Sequence, residues 1–193
     1  MFKIVEKRLL ADNIYLLRIA APRVATSALP GQFVIVRVDE QGERVPLTIA
    51  DYDKAEGTVT IVIQTIGAST KKLCALGEGD YIADFAGPLG NPSEFVHMSE
   101  EEIRSRRYLF VAGGVGTAPV YPQVKWLHEH GGKADVIIGA KTASMLIYTD
   151  EMAKVAENLY VATDDGSYGF KGMVTAKIKD LIDNEGKSYD ECV

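Results

Sequence analysis

The sequence predicts a protein of class β + α/β. An N-terminal antiparallel Greek-key β-barrel takes residues 1–98, and an α/β domain built on a parallel sheet takes residues 99–193. Three observations predict it. The first half carries short segments rich in β-branched and aromatic residues, each closed by turn chemistry. The rhythm changes after Pro92. Beyond that point an apolar run, a glycine-rich turn and an amphipathic stretch follow one another, and strands then alternate with helices.

Met1 to Lys7 already alternates as a strand does, and Ile14–Ile19, Gln32–Val38, Thr58–Ile66 and Tyr81–Phe85 are further strand segments. Pro30-Gly31, Glu40-Gln41-Gly42, Glu56-Gly57 and Gly77-Glu78-Gly79-Asp80 lie between them; such residues preset φ or allow it to be positive. Several short strands at this spacing build a barrel or a sandwich. One helix interrupts, Ser69 to Leu76, with Leu73 and Leu76 at helical spacing. Ser93 to Arg107 is polar and charged, a linker with room for a helical turn. Tyr108 to Ala112 is a continuous apolar run of the kind buried in parallel sheets. Ala118–His130 reads as a helix, Asp135–Gly139 as a strand, Asp150–Asn158 as a helix and Leu159–Thr163 as a strand. Val174–Ile182 closes the series as a helix, with Val174, Ile178, Leu181 and Ile182 on one face.

Composition excludes several classes. A net charge of −6 argues against nucleic acid held by phosphate neutralisation. Arg104, Arg106 and Arg107 stand beside Glu100, Glu101 and Glu102, which makes a solvated mixed-charge surface. Two cysteines, Cys74 and Cys192, are too few for a disulfide scaffold, a structural zinc site or an iron–sulfur cluster. No apolar run approaches the roughly 18 residues of a membrane helix, and no signal core opens the chain, so a soluble cytoplasmic protein is expected. His97, His128 and His130 read as surface residues and no metal site is expected. Trp126 reads as core packing and Cys74 as a small buried apolar residue.

The strongest chemical signal is Ala112-Gly113-Gly114-Val115-Gly116-Thr117-Ala118-Pro119, set between a predicted strand and a predicted helix. Glycines let the backbone approach a pyrophosphate closely, and a helix start offers N–H groups and a positive dipole end. Thr117 can cap that helix and Pro119 suits its first turn. A plain connecting turn has the same composition, and the segment is not the G-x-G-x-x-G dinucleotide pattern. Arg44-Val45-Pro46-Leu47-Thr48-Ile49-Ala50-Asp51 is the second constellation. An arginine fork there can pair with a phosphate, and the Thr48 hydroxyl can bond a ring nitrogen. In isolation the same residues make an ordinary strand. Gly67-Ala68-Ser69-Thr70 opens a helix with a glycine and hydroxyls, which serves a phosphate or a simple cap.

The order of these pieces is informative. Pro30-Gly31-Gln32-Phe33, Arg44–Asp51, Gly67–Thr70, Gly87-Pro88-Leu89-Gly90, Gly113–Pro119 and Asp164-Asp165-Gly166 span nearly the whole chain. In this order they resemble the ferredoxin–NADP⁺ reductase superfamily. Within it, the chain is most similar to the small FAD/NAD-binding subunits of NADH-dependent ferredoxin:NADP⁺ oxidoreductases, relatives of the dihydroorotate dehydrogenase electron-transfer subunits. Arg44–Asp51 and Val111–Pro122 carry most of that similarity.

The resemblance implies an oxidoreductase subunit with FAD on the barrel and NAD(P)(H) on a nucleotide-binding α/β domain. Arg44 would sit on the FAD phosphates, within a motif that includes Pro46 and Leu47, and Thr48 would lie near flavin N5 as the catalytic residue. Gly67, Ser69 and Thr70 would hold the FAD pyrophosphate. Gly113, Gly114, Gly116 and Thr117 would receive the nicotinamide dinucleotide. Asp164, Asp165 and Gly166 would lie by it at a strand's carboxyl end, with Lys141 at the adenosine ribose or a 2′-phosphate. The implied partner is a large flavoprotein or iron–sulfur subunit, or a ferredoxin. A dihydroorotate dehydrogenase electron-transfer subunit and a non-catalytic nucleotide-binding fragment are the alternatives. Two departures stand out. Leu47 occupies the place of the family's tyrosine, with the arginine-to-threonine spacing one longer, so an aromatic stack is lost. The family also continues where this chain stops at Val193. The chain is therefore expected to be a C-terminally truncated form, with the ligands of a [2Fe–2S] cluster only in a longer form of the protein.

Overall fold

A computed structural model describes residues 1–193. The chain divides into two compact units, Met1–Val96 and His97–Val193. The first contains β1 (Phe2–Ala11), β2 (Ile14–Ala20), α1 (Pro22–Ser27), β3 (Phe33–Arg37), β4 (Val45–Asp53), β5 (Thr58–Gln64), α2 (Ala68–Ala75), β6 (Tyr81–Ile82) and β7 (Asp84–Leu89). Seven strands form one sheet of order β6-β1-β2-β5-β4-β3-β7, with every neighbouring pair antiparallel. β6 and β7 lie at opposite edges, yet only Ala83 separates them in the chain. The sheet must therefore curl until its edges nearly meet, which makes the expected barrel. The meander β3-β4-β5 with β2 returning beside β5 is the Greek-key order.

Alternation decides which side chains fill this barrel. Val34 and Val36 of β3 are buried, and Phe33, Ile35 and Arg37, which alternate with them, are only half-buried. β5 is buried along most of its length, because α1 and α2 both pack on it. Ile4, Leu17, Ile19, Ile49, Ile61 and Phe85 are central to the core. Cys74 is buried against them, as expected, and burial pushes its thiol pKa up. α1 has no counterpart in the sequence reading: six residues are too few to show a helical period, although Pro22 stands at its start and Val24 and Ala25 are buried.

The second unit contains α3 (Glu100–Ser105), β8 (Arg107–Gly113), α4 (Thr117–Glu129), β9 (Lys133–Ala140), α5 (Thr149–Met152), β10 (Asn158–Thr163), β11 (Phe170–Lys171), α6 (Val174–Asp183) and β12 (Glu191–Cys192). Its five strands are parallel, in the order β11-β10-β9-β8-β12. Leu109 and Ile137 meet Leu181 of α6 on one face, with Val111 and Ile178 beside them. Phe110, Val136 and Ile138 alternate to the other face, where α4 packs on β8 and β9.

Several local readings change. The stretch expected as a linker holds α3, closed by a capping box in which Ser99 Oγ accepts from Glu102 N at 3.3 Å and Ser99 N donates to Glu102 Oε2 at 2.9 Å. The helix expected over Asp150–Asn158 shrinks to the single turn of α5. Glu157 N already donates to Ala134 O at 2.8 Å, so the chain is extending toward β10 there. Ile182, expected on the apolar face of α6, is 49% exposed, and Lys177 is buried instead. Lys177 is neutralised by Asp180 and Glu185 at 2.7 and 2.9 Å and lies over the ring of Tyr160. Trp126 is half-buried rather than core, stacked on His130 with ring centroids 3.7 Å apart.

Candidate functional site

In an open parallel sheet, ligands collect at the carboxyl ends of the strands, because loops and helix starts converge there. The second unit has a cavity of about 370 Å³ at that end. β8 and the turn after it contribute Gly113 and Gly114, and β9 contributes Gly139, Ala140 and Lys141. β10 and its following loop contribute Ala162 and Asp164, and Gly172, Met173, Val174 and Thr175 lead into α6. Met145 adds an apolar wall. The size suits a small-molecule cleft.

Two helices begin near this cavity. A 3-10 turn at Gly114–Gly116 leads into α4, and Met173 leads into α6. Neither helix has a side-chain cap or an acidic residue in its first turn. Helix starts of this kind present N–H groups and partial positive charge to an anion. Gly114 has φ +55°, and a Cβ built on it or on Gly116 would meet nothing within 4 Å. The backbone is thus bare on the side where a phosphate would approach. Gly139 is different: a Cβ there would run into Val174 Cγ1, so this glycine lets β9 and α6 pack closely. The residues fit a nucleotide: the glycine backbone and the Lys141 cation its phosphates, the Asp164 carboxylate its ribose and the apolar wall its base.

The predicted residues separate into those that line the cavity and those that do not. Gly113, Gly114, Lys141 and Asp164 line it. The Asp165 carboxylate is turned to Ser167, accepting its N at 2.9 Å and its Oγ at 2.6 Å, and these bonds hold its pKa below the usual range. Gly166 sits at φ +76° against the Lys171 side chain, in the tight turn that follows. Gly116, not Thr117, is the N-cap of α4. Thr117 is the first helical residue, 0% exposed, and its hydroxyl has no hydrogen-bond partner. Gly139, Met145, Gly172 and Met173 were missed, because their role depends on β11 and the loop before α6 folding back over β10. The glycine pairing of Gly139 with Val174 left no periodic signal.

In the first unit, Arg44 just before β4 and Pro46 and Thr48 at its start alternate as exposed residues. Four residues along a strand span about 13 Å, so Arg44 and Thr48 can hold only opposite ends of an extended ligand. The Arg44 guanidinium is 61% exposed, with Asp84 at 3.5 Å, a weak surface pair. Leu47 faces the other way and packs against the barrel core. At the start of α2, the N–H groups of Ile66 and Gly67 both donate to Thr70 Oγ1 at 3.1 Å. Ser69 donates its hydroxyl to the Glu43 carboxylate. The space over Gly67 is open. An exposed guanidinium and a glycine-opened helix start in one unit fit a second phosphate-bearing cofactor.

A second cavity, of about 280 Å³, lies at the amino ends of the strands among Arg107, Lys133, Asp135, Glu157, Lys187 and Tyr189. Its charges are already paired: Lys133 with Glu157 at 3.0 Å, Lys187 with Asp135 at 2.7 Å and Arg107 with Asp190 at 3.5 Å. The Lys187–Asp135 pair is the buried centre of this cluster, and the other two are exposed surface pairs. No cluster of three or more histidine, cysteine or acidic groups is placed to hold a metal ion, and no helix is long and apolar enough to cross a membrane.

No family model matches the chain. A Clostridium beijerinckii protein encoded in the adh 3′ region is 58% identical over 193 residues, covering all of this chain and 65% of that protein. A Thermotoga maritima homologue of the electron-transfer subunit of NAD⁺-type dihydroorotate dehydrogenase B is 40% identical over 190 residues, covering 98% of this chain and 64% of its own length. The corresponding Fusobacterium nucleatum subunit is 34% identical over 185 residues, covering 94% and 69%. The chain thus spans about two thirds of the length of these relatives. Among solved structures, an NADH-dependent reduced ferredoxin–NADP oxidoreductase matches with TM-score 0.87 and 39% identity, over all of this chain and 66% of the other. Phthalate dioxygenase reductase shares the fold at TM-score 0.72 and 19% identity, over 99% and 59%.

Proposed function

This chain belongs to the family of dihydroorotate dehydrogenase B electron-transfer subunits, and on that premise we propose that it is a flavoprotein subunit that moves electrons between NAD(P)H and an iron–sulfur or ferredoxin-type partner. The cofactors, when bound, supply the chemistry: hydride transfer between nicotinamide and FAD, and single-electron steps beyond it. The residues of this chain bind and orient. Gly113, Gly114 and the following Gly116 offer bare backbone to the dinucleotide's pyrophosphate, with Lys141 as its counter-charge. Asp164 accepts from a ribose hydroxyl, and its negative charge disfavours a 2′-phosphate, which supports NAD(H) over NADP(H). In the barrel, Arg44 takes an FAD phosphate, Gly67, Ser69 and Thr70 take the pyrophosphate, and the Thr48 hydroxyl bonds the flavin near N5. Pro46 shares the exposed face with Arg44 and Thr48, and Leu47 supports that strand from the core side.

One observation carries the reading: the cavity at the carboxyl ends of β8, β9 and β10, walled by bare glycine backbone and uncapped helix starts. Iron–sulfur ligands on the electron route lie outside these residues in this reading, since Cys74 is buried in the barrel and Cys192 is exposed on β12. The partner is then a large flavoprotein or iron–sulfur subunit. A dihydroorotate-oxidising partner is a second reading, supported by the names of the Thermotoga and Fusobacterium relatives. The test is an anaerobic titration of the FAD-loaded protein. The flavin spectrum should bleach with NADH at lower concentrations than with NADPH. A bound flavin that neither nucleotide reduces would remove the proposal, and a preference for NADPH would remove the role given to Asp164.

A further inference from the structure

The nucleotide cavity has two loops on its rim, and both follow strands. Residues 141–145 follow β9 and carry Lys141 and Met145; residues 164–173, a loop segment that includes the two-residue strand β11, follow β10 and carry Asp164, Gly172 and Met173. Backbone bonds extend the β9–β10 pairing a short way into them: Asp164 N donates to Ala140 O at 3.1 Å and Asp165 N to Lys141 O at 3.2 Å. The ladder ends there, and one side chain continues it. Ser167 Oγ donates to Asp165 Oδ1 at 2.6 Å and accepts from Ala143 N at 2.8 Å. Ser167 N also donates to Asp165 Oδ1, at 2.9 Å. Thr163 Oγ1 fixes the far side of the same turn, donating to Tyr168 O at 2.7 Å and accepting from Tyr168 N at 3.0 Å. On the first loop, Thr142 Oγ1 accepts from Ser144 N at 3.3 Å, which starts the short turn that delivers Met145 to the cavity.

We propose that Asp165 and Ser167 are positioning residues: a carboxylate–hydroxyl relay that ties the 141–145 loop to the 164–173 loop and so holds Lys141 and Met145 opposite Asp164. The two adjacent aspartates then divide the work. Asp164 faces the nucleotide, and Asp165 is committed to Ser167. The Asp165 carboxylate makes the relay directional. An ionised carboxylate only accepts, so the serine proton must point to it, and the serine lone pairs are left for Ala143 N–H. The bonds are short and one is charge-assisted, which makes this a stronger tie than a neutral turn. This inference rests on the nucleotide reading of the cavity.

The test is calorimetric binding of ADP-ribose to the chain, which needs no flavin and no turnover. Ser167→Ala should weaken binding about five- to tenfold, the scale of one lost hydrogen bond that pre-orders a site. Ser167→Thr keeps the hydroxyl and should restore most of it. Asp165→Ala should weaken binding to a similar degree, and the double variant should lose no more than either single one, because both remove the same tie. In the FAD-loaded protein, Ser167→Ala should raise the NADH concentration needed for half-maximal flavin reduction and leave the rate at saturation unchanged. Unchanged ADP-ribose affinity in Ser167→Ala overturns the inference. So do additive losses, which would make Asp165 a direct ligand. If the unaltered chain binds no ADP-ribose, the nucleotide reading falls and the relay's function falls with it. A thermal midpoint near that of the unaltered chain separates loop loosening from unfolding, and Asp165→Asn, which keeps an accepting oxygen, gives a milder variant should Ser167→Ala not fold.

Discussion

At the scale of single residues, the glycines of the 113–116 turn are not equivalent. Gly114 has φ +55°, where a β-branched side chain is strained, while Gly116 has φ −64° and helical ψ. Both have open space around a would-be Cβ. Gly114→Val should therefore weaken ADP-ribose binding at least tenfold and lower stability by about 1–2 kcal/mol, with FAD content unchanged. Gly116→Ala should fold at least as well as the unaltered chain, since alanine fits that backbone and restricts the unfolded chain, a gain of about 0.5 kcal/mol. Urea melts and calorimetry distinguish the two. Thr117 presents the opposite case. Its hydroxyl is sealed inside the fold without a partner, a cost of about 1–3 kcal/mol. Thr117→Val keeps the shape and should raise the thermal midpoint. An unchanged or lowered midpoint would mean that the hydroxyl has a partner in the working protein. Thr48→Val is expected to retain FAD and to slow its reduction by NADH, measured by stopped-flow absorbance.

At the scale of elements, the contact between Gly139 of β9 and Val174 of α6 sets the floor of the cavity. Gly139→Ala places a methyl against Val174 Cγ1 and should cost about 1–3 kcal/mol of stability as overpacking. Val174→Ala in the same chain should recover part of that loss, which denaturant unfolding of the single and double variants would show. This contact also marks where sequence reasoning stopped. Strands and long helices were legible from their residue types and repeats: β3 alternates, β5 is a β-branched run, and α4 shows a helical period. The glycine turn was legible because Gly113, Gly114 and Gly116 crowd together directly between an apolar run and an amphipathic stretch. The Ser99–Glu102 capping box was also present in the sequence, but a charged surface masked it. What could not be read was closeness between segments far apart in the chain. α5 and α6 show the limit of periodicity. A residue such as Lys177 can be buried when carboxylates and aromatic rings surround it, and Ile182 can stay exposed at the helix end. The division of Asp164 from Asp165 was likewise invisible, since it depends on Ser167 turning back.

At the scale of the whole molecule, the first unit closes its sheet by curling, and the second leaves its sheet open with two chemically distinct ends. At the amino end, Asp135 is 8% exposed and accepts from Lys187 Nζ, Asn158 Nδ2 and Tyr189 Oη at 2.7, 2.6 and 2.8 Å. Desolvation raises its pKa, but these three bonds together outweigh it and hold the carboxyl below its usual value. A depressed carboxyl pKa adds stability above the unfolded value of about 4, and that stability is lost as pH falls through the folded value. The Lys187 and Tyr189 pKa values are raised, so their contribution is present below about pH 10 and is lost in more alkaline solution. Asp135→Asn should flatten the acid limb of a stability–pH curve and lower stability near neutrality, with ADP-ribose affinity unaltered; an acid limb that keeps its slope would remove this account. The cavity lies at the opposite end of the same strands, about five residues away along β9. The paired cluster and the cavity therefore occupy opposite poles of one sheet. On the proposed function, substitutions at the carboxyl pole should change ligand affinity and leave the paired cluster at the amino pole intact, so that affinity and folding stability should vary independently between variants of the two ends.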